Sequence, residues 1–80
     1  MPNLSKNRQD PVLLKLGMTL RRIRVSKGIS QENLALLAEV DRSYVGRVER
    51  GDNNVAILTL TKLTNALEIS LAKLMHEAKL

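Results

Sequence analysis

The chain lacks several residue types on which common folds and sites depend. Its 80 residues include no cysteine, tryptophan or phenylalanine, and Tyr44 is the single aromatic residue. Without cysteine, a disulfide, a thiolate zinc site and a cysteine nucleophile are all excluded. With one aromatic residue, the core must be aliphatic, which favours packed helices over an aromatic-rich sheet.

Long apolar runs are missing as well. No stretch approaches the roughly 18 apolar residues of a membrane span. The first ten residues contain no apolar segment of the kind found in signal peptides. We therefore expect a cytoplasmic protein that does not contact a membrane, and the chain length fits a single domain.

Charge of one sign is in excess. Thirteen lysine and arginine residues face eight carboxylates, which gives a formal net charge of +5 and an isoelectric point of about 10.1. Such a balance indicates an anionic partner, with nucleic acid ahead of a membrane surface. The alternative is a protein whose positive surface serves only solubility.

Hydrophobic periodicity and capping residues predict five short helices and no strand. The first is expected from Pro11 to about Lys27, with Asp10 as its N-cap. The others are expected at 31–38, 42–50, 56–67 and 71–78, with Ser30, Asp41 and Ser70 as N-caps for the second, third and fifth. The predicted fold class is all-α, with a flexible arm over residues 1–10 and one compact domain over residues 11–80.

One detail of this prediction, the role of the arm, remains open to two interpretations. The arm is either a disordered terminus or a segment that contacts DNA. The periodicity also places Leu37 of the second helix and Ile57 of the fourth on buried faces.

The second and third helices are separated by a three-residue turn, the spacing of a helix-turn-helix at about residues 31–50. On a helical wheel, Val45 and Val48 share one face of the third helix. The opposite arc contains no carboxylate and comprises Arg42, Ser43, Gly46, Arg47 and Arg50. Such an arc suits the major groove of DNA, where arginine pairs bidentately with guanine and serine donates or accepts.

We predict base contacts at Arg42, Ser43, Gly46 and Arg47. Gly46 would act through its missing side chain, which lets the backbone come close to the DNA. The alternatives are that Gly46 is merely tolerated, at a cost of about 1 kcal/mol relative to alanine, or that it lets another helix pack closely.

Residues 29–51, "ISQENLALLAEVDRSYVGRVERG", resemble the helix-turn-helix of Xre/Cro-type, lambda-repressor-like regulators. Residues 58–74, "LTLTKLTNALEISLAKL", are similar to the two closing helices of that family. The resemblance implies a compact five-helix domain that binds DNA and regulates transcription. Within the family, "DRSYVGRVERGDNN" is most similar to the controller proteins of restriction–modification systems. Two positions depart from the family pattern: Glu39 replaces a glycine in the turn, and Val55 replaces a proline before the fourth helix.

The resemblance also implies roles for individual residues. Ala35 would be the small residue where the second and third helices cross, and Arg24 would pair with Glu49 to tie the first helix to the third. We predict phosphate contacts, which set register rather than sequence, at Gln31, Tyr44, Arg50, Asn53 and Asn54. Tyr44 could equally be a packing residue with its hydroxyl at the DNA edge.

Surplus apolar residues near the C-terminus predict a homodimer interface formed by the fifth helix and its neighbours, comprising Leu58, Leu71, Leu74 and Met75. The alternative is that the fifth helix packs these residues onto the first helix of the same chain. A two-fold dimer would read a palindromic operator whose half-sites lie about one helical turn apart.

The function predicted is that of a sequence-specific, DNA-binding transcriptional regulator acting as a homodimer, and not an enzyme. His76 is the only histidine, and no catalytic or phosphate-loop motif is present, so we expect no metal, cofactor or small-molecule ligand. Double-stranded DNA is the expected partner, with RNA polymerase as a second candidate, and the protein would associate with the nucleoid. The competing functions are a phage-type repressor and an antitoxin or other protein-interaction module.

Overall fold

The computed structural model describes residues 8–80, and these residues form five α-helices and no strand. The all-α prediction is confirmed, and no helix end differs from its predicted position by more than one residue. The helices are α1 (Pro11–Ser26), α2 (Gln31–Ala38), α3 (Arg42–Glu49), α4 (Ile57–Ala66) and α5 (Leu71–Glu77).

Three of the helices begin at side-chain N-caps, as predicted. Asp10, Ser30 and Ser70 each accept a hydrogen bond at 2.9 to 3.0 Å from a backbone N–H two or three residues further along the chain. A cap of this kind contributes about 1 kcal/mol. Asp41 occupies the N-cap position of α3, but its side chain accepts no such bond. The predicted capping role of that carboxylate is therefore wrong, and the two-turn helix α3 depends on packing for its stability.

The core is aliphatic, as the shortage of aromatic residues predicted. Its fully buried large side chains come from all five helices and from the residue that ends α4: Leu20, Leu34, Val45, Val48, Leu63, Leu67 and Leu74. Each buried side chain of this type contributes about 1.5–3 kcal/mol relative to exposure. Helices of seven to ten residues are marginal alone, so this shared core holds α2 to α5 in place.

Two apolar residues that were predicted to lie on buried helix faces are exposed. Leu37 is 61% exposed and Ile57 is 57% exposed. Helix α2 packs against both α3 and α4, and Leu34, Ala35 and Ala38 fill those contacts. Leu37 is left outside them, although its spacing from Leu34 is helical.

Helices α1 and α3 approach each other so closely that their contact requires a glycine. A Cβ atom on Gly17 would lie 2.6 Å from the carbonyl oxygen of Glu49, closer than real Cβ atoms come to a backbone atom. This position was not singled out by sequence reasoning. The contact sets the position of α3 against the longest helix of the domain.

The segment before α1 is packed against the rest of the chain where the structure describes it. The backbone N–H of Gln9 donates to the carbonyl of Gly51, which follows α3. The predicted boundary at residue 10 placed Arg8 and Gln9 in a flexible arm. In the structure they contact the rest of the domain instead. Residues 1–7, which make up most of the predicted arm, lie outside the described residues.

Candidate nucleic-acid interface

Helix α3 buries one face and exposes the other, as its wheel predicted. Val45 and Val48 are 0% and 2% exposed. Arg42 and Ser43 are exposed and Arg47 is half-buried. We call Arg42, Ser43 and Arg47 the α3 surface. It presents two guanidinium groups and a hydroxyl, the donors that recognise guanine edges and phosphates.

Arg47 is held from both sides by neighbouring side chains. The carbon of its guanidinium group lies 5.7 Å from the centroid of the Tyr44 ring, within the range of a cation–π contact. With its amide oriented to satisfy both of its neighbours, Asn53 accepts a hydrogen bond from Nε of Arg47 at 3.3 Å and donates to the carbonyl of Asp52 at 3.1 Å. These contacts limit the rotamers available to Arg47, which reduces the entropy lost on binding.

Tyr44 is half-buried beside Arg47, in a shallow groove that also includes Val40 and Thr59. Burial raises the pKa of the Tyr44 phenol above its ordinary value, and the nearby Thr59 hydroxyl and Arg47 charge only partly oppose that rise. The phenol is therefore protonated at neutral pH and available as a hydrogen-bond donor. Both predicted roles, packing and phosphate contact, remain compatible with this position.

Gly46 does not lie on the outer surface, contrary to its predicted role as a close-approach or base-contacting position. It is buried in the described structure. A Cβ atom there would lie 3.2 Å from Nη1 of Arg50 and 3.8 Å from Oε1 of Gln31. The glycine leaves room for these two long side chains, which cover it, so it shapes the surface without forming it.

Beneath this surface, a buried ion pair joins α1 to α3. Arg24 donates through Nε and Nη2 to the two carboxylate oxygens of Glu49 at 2.6 and 3.0 Å, and through Nη1 to the carbonyl of Ile29 at 2.7 Å. Gln31 completes the cluster, because its Nε2 donates to Oε1 of Glu49 at 2.9 Å. The geometry matches the role that the resemblance implied for Arg24 and Glu49.

Gln31 thereby has a contact that was not predicted. One of its amide hydrogens is directed to Glu49, while the residue remains half-buried at the first position of α2. Its backbone N–H lies in the first turn of that helix, where N–H groups lack partners within the helix and attract anions. The phosphate contact stays a prediction. Ala35 is 4% exposed, as expected of a small residue between packed helices.

The loop after α3 carries the remaining predicted phosphate contacts. Asn54 is exposed, Asn53 is half-buried against Arg47, and Arg50 is exposed at the end of α3. Nε of Arg50 donates to Oδ2 of Asp52 at 3.2 Å. Asp52 was assigned no role from the sequence, because its partners Arg8 and Gln9 lie more than 40 residues away and no local pattern relates them.

The residues predicted for a dimer interface separate into three groups. Leu58 is 76% exposed, and Leu71 and Met75 are half-buried against the core. Leu74 is 0% exposed. Its assignment to an intermolecular surface is wrong, because it already packs within its own chain, where α5 contacts α1 and α4.

Over residues 8–80, no helix has the length and apolar content needed to cross a bilayer. Within the same range, no three of the histidine and carboxylate residues are grouped closely enough to bind a metal ion. His76 is exposed on α5.

Comparison with known proteins agrees with this arrangement. A helix-turn-helix family model matches residues 20–74. The control protein C.MunI of Mycoplasma sp is 31% identical over 69 residues, which cover 85% of this chain and 93% of that protein. In the crystal structure of the restriction–modification controller protein C.AhdI from Aeromonas hydrophila, 52% of aligned residues are identical; the match covers 78% of this chain and 94% of that one, with a TM-score of 0.76.

A second similar structure is that of a nucleoprotein complex. The controller protein C.Esp1396I in that complex is 31% identical and matches with a TM-score of 0.79, covering 85% of this chain and 88% of that one. The residues matched by the family model include all of α2, α3 and α4. The chain therefore belongs to the helix-turn-helix family of DNA-binding transcriptional regulators, in the group of the restriction–modification controller proteins.

Proposed function

We propose that this protein binds a palindromic operator as a homodimer and controls transcription of the genes of a restriction–modification system. The observation that carries the proposal is the α3 surface, which projects Arg42, Ser43 and Arg47 from a helix anchored by Val45 and Val48. The relatives of this protein include named controller proteins of such systems. This similarity supports the proposal that the regulated genes are those of a restriction–modification system.

Arg42, Ser43 and Arg47 are assigned to base edges in the major groove. Arginine recognises guanine through a bidentate pair, and one good pair of this kind contributes about 1–3 kcal/mol of discrimination. The contacts of Arg47 with Tyr44 and Asn53 support this assignment, because a guanidinium held in one orientation selects one base position. Gly46 is assigned to shaping the surface, through the space it leaves for Gln31 and Arg50.

Gln31, Tyr44, Arg50, Asn53 and Asn54 are assigned to the phosphate backbone. They occupy the start of α2, the edge of α3 and the loop after it, so they flank the α3 surface on two sides. Contacts at these places would fix the register of α3 in the groove. They also make binding dependent on salt, because each neutralised phosphate releases counterions.

We assign the homodimer interface to the surface around Leu58, Leu71 and Met75. One recognition helix reads only a few base pairs, and a two-fold dimer doubles this length on a palindrome. Leu58, at 76% exposed, supplies apolar surface that the monomer leaves uncovered. We place the protein in the cytoplasm with the nucleoid, without catalytic activity, and we include RNA polymerase as a second partner.

Selection of bound duplexes from random DNA tests the proposal. We expect an enriched palindrome with half-sites about one helical turn apart. Recovery of no common motif would contradict sequence-specific reading. Sedimentation of the same protein should show a dimer at the concentrations that give binding.

A substitution at Arg47 tests the assignment of base contacts. Arg47→Ala should lose preference at one operator position in each half-site, at a cost of about 1–3 kcal/mol, rather than weaken all sequences equally. Lys73→Ala removes the same charge from an exposed position of α5 and serves as the control. Uniform weakening by Arg47→Ala would make Arg47 a phosphate contact instead.

A further inference from the structure

Asp52, in the loop after α3, contacts its neighbour Arg50 and two side chains from the segment before α1, Arg8 and Gln9. Its Oδ2 accepts from Nε of Arg50 at 3.2 Å. Its Oδ1 lies 3.3 Å from Nε of Arg8 and accepts from Nε2 of Gln9 at 3.3 Å. The Asp52 side chain is only 12% exposed, whereas those of Arg8 and Arg50 are 47% and 61% exposed. The carboxylate is therefore covered by the cations that it holds.

The backbone around Asp52 is fixed by contacts of its own. The N–H of Asp52 donates to the carbonyl of Arg47 at 2.9 Å, and the N–H of Gln9 donates to the carbonyl of Gly51. Gly51 has a φ of +78°, and a Cβ atom on it would lie 2.9 Å from Cδ2 of Leu14. These contacts hold the backbone of the loop between the start of α1 and the end of α3, which places the Asp52 side chain beside its partners.

The carboxylate is charged under ordinary conditions. Partial burial raises the pKa of Asp52, but the hydrogen bonds from Arg50 and Gln9 and the charge of Arg8 outweigh that effect and hold the pKa below its ordinary value. A negative charge thus stands between two arginines at the edge of a surface assigned to DNA. It opposes nearby phosphates and also occupies the two cations that would otherwise attract them.

We propose that Asp52 limits the affinity of this protein for DNA of any sequence, by holding Arg8 and Arg50 in ion pairs that a phosphate must displace. Sequence-independent affinity comes from phosphate contacts and the counterions they release, and each of these two arginines must leave its ion pair with Asp52 before it can make such a contact. The inference rests on the proposed function, because it assumes that the end of α3 faces DNA. It makes Asp52 a residue that sets the general affinity for DNA without touching a base.

The test compares variants on a duplex of random sequence several helical turns long, by fluorescence anisotropy across a range of KCl concentrations. Asp52→Asn should raise the affinity about three-fold to tenfold near 0.1 M salt, with the slope of log K against log salt steeper by about 0.9 for each arginine released. Asp41→Asn is the matched control. It removes the same charge beside α3, from a carboxylate that forms no ion pair with another residue of the 8–80 range. It should raise affinity less and leave the slope unchanged.

A second background separates the release of arginines from a general charge effect. In the double variant Arg8→Gln/Arg50→Gln, Asp52→Asn should produce no more change than Asp41→Asn produces. Thermal melts of each variant establish that the compared proteins are folded. The inference is overturned if Asp52→Asn resembles Asp41→Asn in the natural background, or if its effect persists without the two arginines.

Failure of the proposed function would be recognised separately. If the natural protein enriches no motif from random DNA, sequence-specific control is contradicted, while the random-duplex comparison still decides the role of Asp52. If a motif is enriched and Asp52→Asn leaves random binding and its salt slope unchanged, the proposed function stands and the inference about Asp52 falls.

Discussion

Glu39 ends α2 with a left-handed backbone, at φ +59° and ψ +45°. A residue with a Cβ atom in this region is strained by about 1–2 kcal/mol. The backbone N–H of Glu39 donates hydrogen bonds to the carbonyls of Ala35 and Leu36 in the last turn of α2. The turn therefore keeps the geometry that suits glycine, although the chain has glutamate in its place.

Replacing this residue should relieve the strain. We expect Glu39→Gly to stabilise the protein by up to about 1 kcal/mol, measured as a shift of the urea midpoint with an unchanged slope. Lys62→Gly, in the exposed middle of α4, is the control and should destabilise by about 0.7–1 kcal/mol. A loss of stability in Glu39→Gly would show that the side chain makes a compensating contact.

Gly46 offers a test of how the surface over α3 is formed. Gly46→Ala should stabilise α3 by up to about 1 kcal/mol, because its Cβ atom would meet only the mobile end of Arg50, at 3.2 Å. The displaced guanidinium should weaken binding to the selected operator. Chemical denaturation and operator titration of the same variant measure the two effects, and unchanged binding would mean that Arg50 does not need this position.

At the scale of elements, the close contact of α1 with α3 gives the opposite expectation for another glycine. Gly17→Ala should destabilise the protein by about 1–3 kcal/mol, because backbone carbonyls of Val48 and Glu49, and not a mobile side chain, occupy the space. Thermal unfolding of Gly17→Ala beside Gly46→Ala measures the contrast. Equal effects of the two substitutions would contradict the close crossing.

The ion pair of Arg24 with Glu49 joins the same two helices. Its side chains are 9% and 2% exposed, so removal of one partner leaves a buried charge uncompensated. Glu49→Gln should destabilise by about 3 kcal/mol or more, a large part of the stability of a small domain. Circular dichroism during urea unfolding is the measurement. A loss of unfolding free energy below about 1 kcal/mol would mean that the pair contributes no more than an exposed ion pair does.

Glu77→Gln is the control for this substitution, because Glu77 pairs with an exposed arginine, Arg22. The hydrogen bond and charge of Arg22 hold the pKa of Glu77 below its ordinary value. The stabilisation from this pair is therefore present above the ordinary pKa of glutamate and is lost as the pH falls through the lowered pKa. At neutral pH we expect Glu77→Gln to change stability much less than Glu49→Gln does.

Local patterns were sufficient to predict the helices and, Gly46 excepted, the outward face of α3, because caps and periodicity act within a few residues. They could not identify which apolar residues reach the core. Leu74 and Leu58 carry the same side chain, yet one is fully buried and the other is largely exposed. That difference depends on which helices meet. The contacts of Asp52 with Arg8 and Gln9 likewise join residues that are far apart in the sequence.

At the scale of the whole molecule, the proposed homodimer can be tested by substitution. Leu58→Glu should shift a dimer towards monomer, raising its dissociation constant about tenfold or more, because a charge would enter an apolar contact. Sedimentation velocity over a concentration series is the measurement. Leu36→Glu is the control, since Leu36 is 71% exposed on α2, outside the proposed interface. Dissociation by Leu36→Glu alone would move the interface to α2.

The position of Tyr44 has a practical consequence for all of these measurements. It is the only aromatic residue of the chain, and it lies half-buried against Arg47 at the proposed DNA surface. Intrinsic fluorescence of this protein therefore comes from one place, and no tryptophan obscures it. Emission from that single fluorophore reports on α3 itself, so local opening of this helix can be followed optically without attaching a dye.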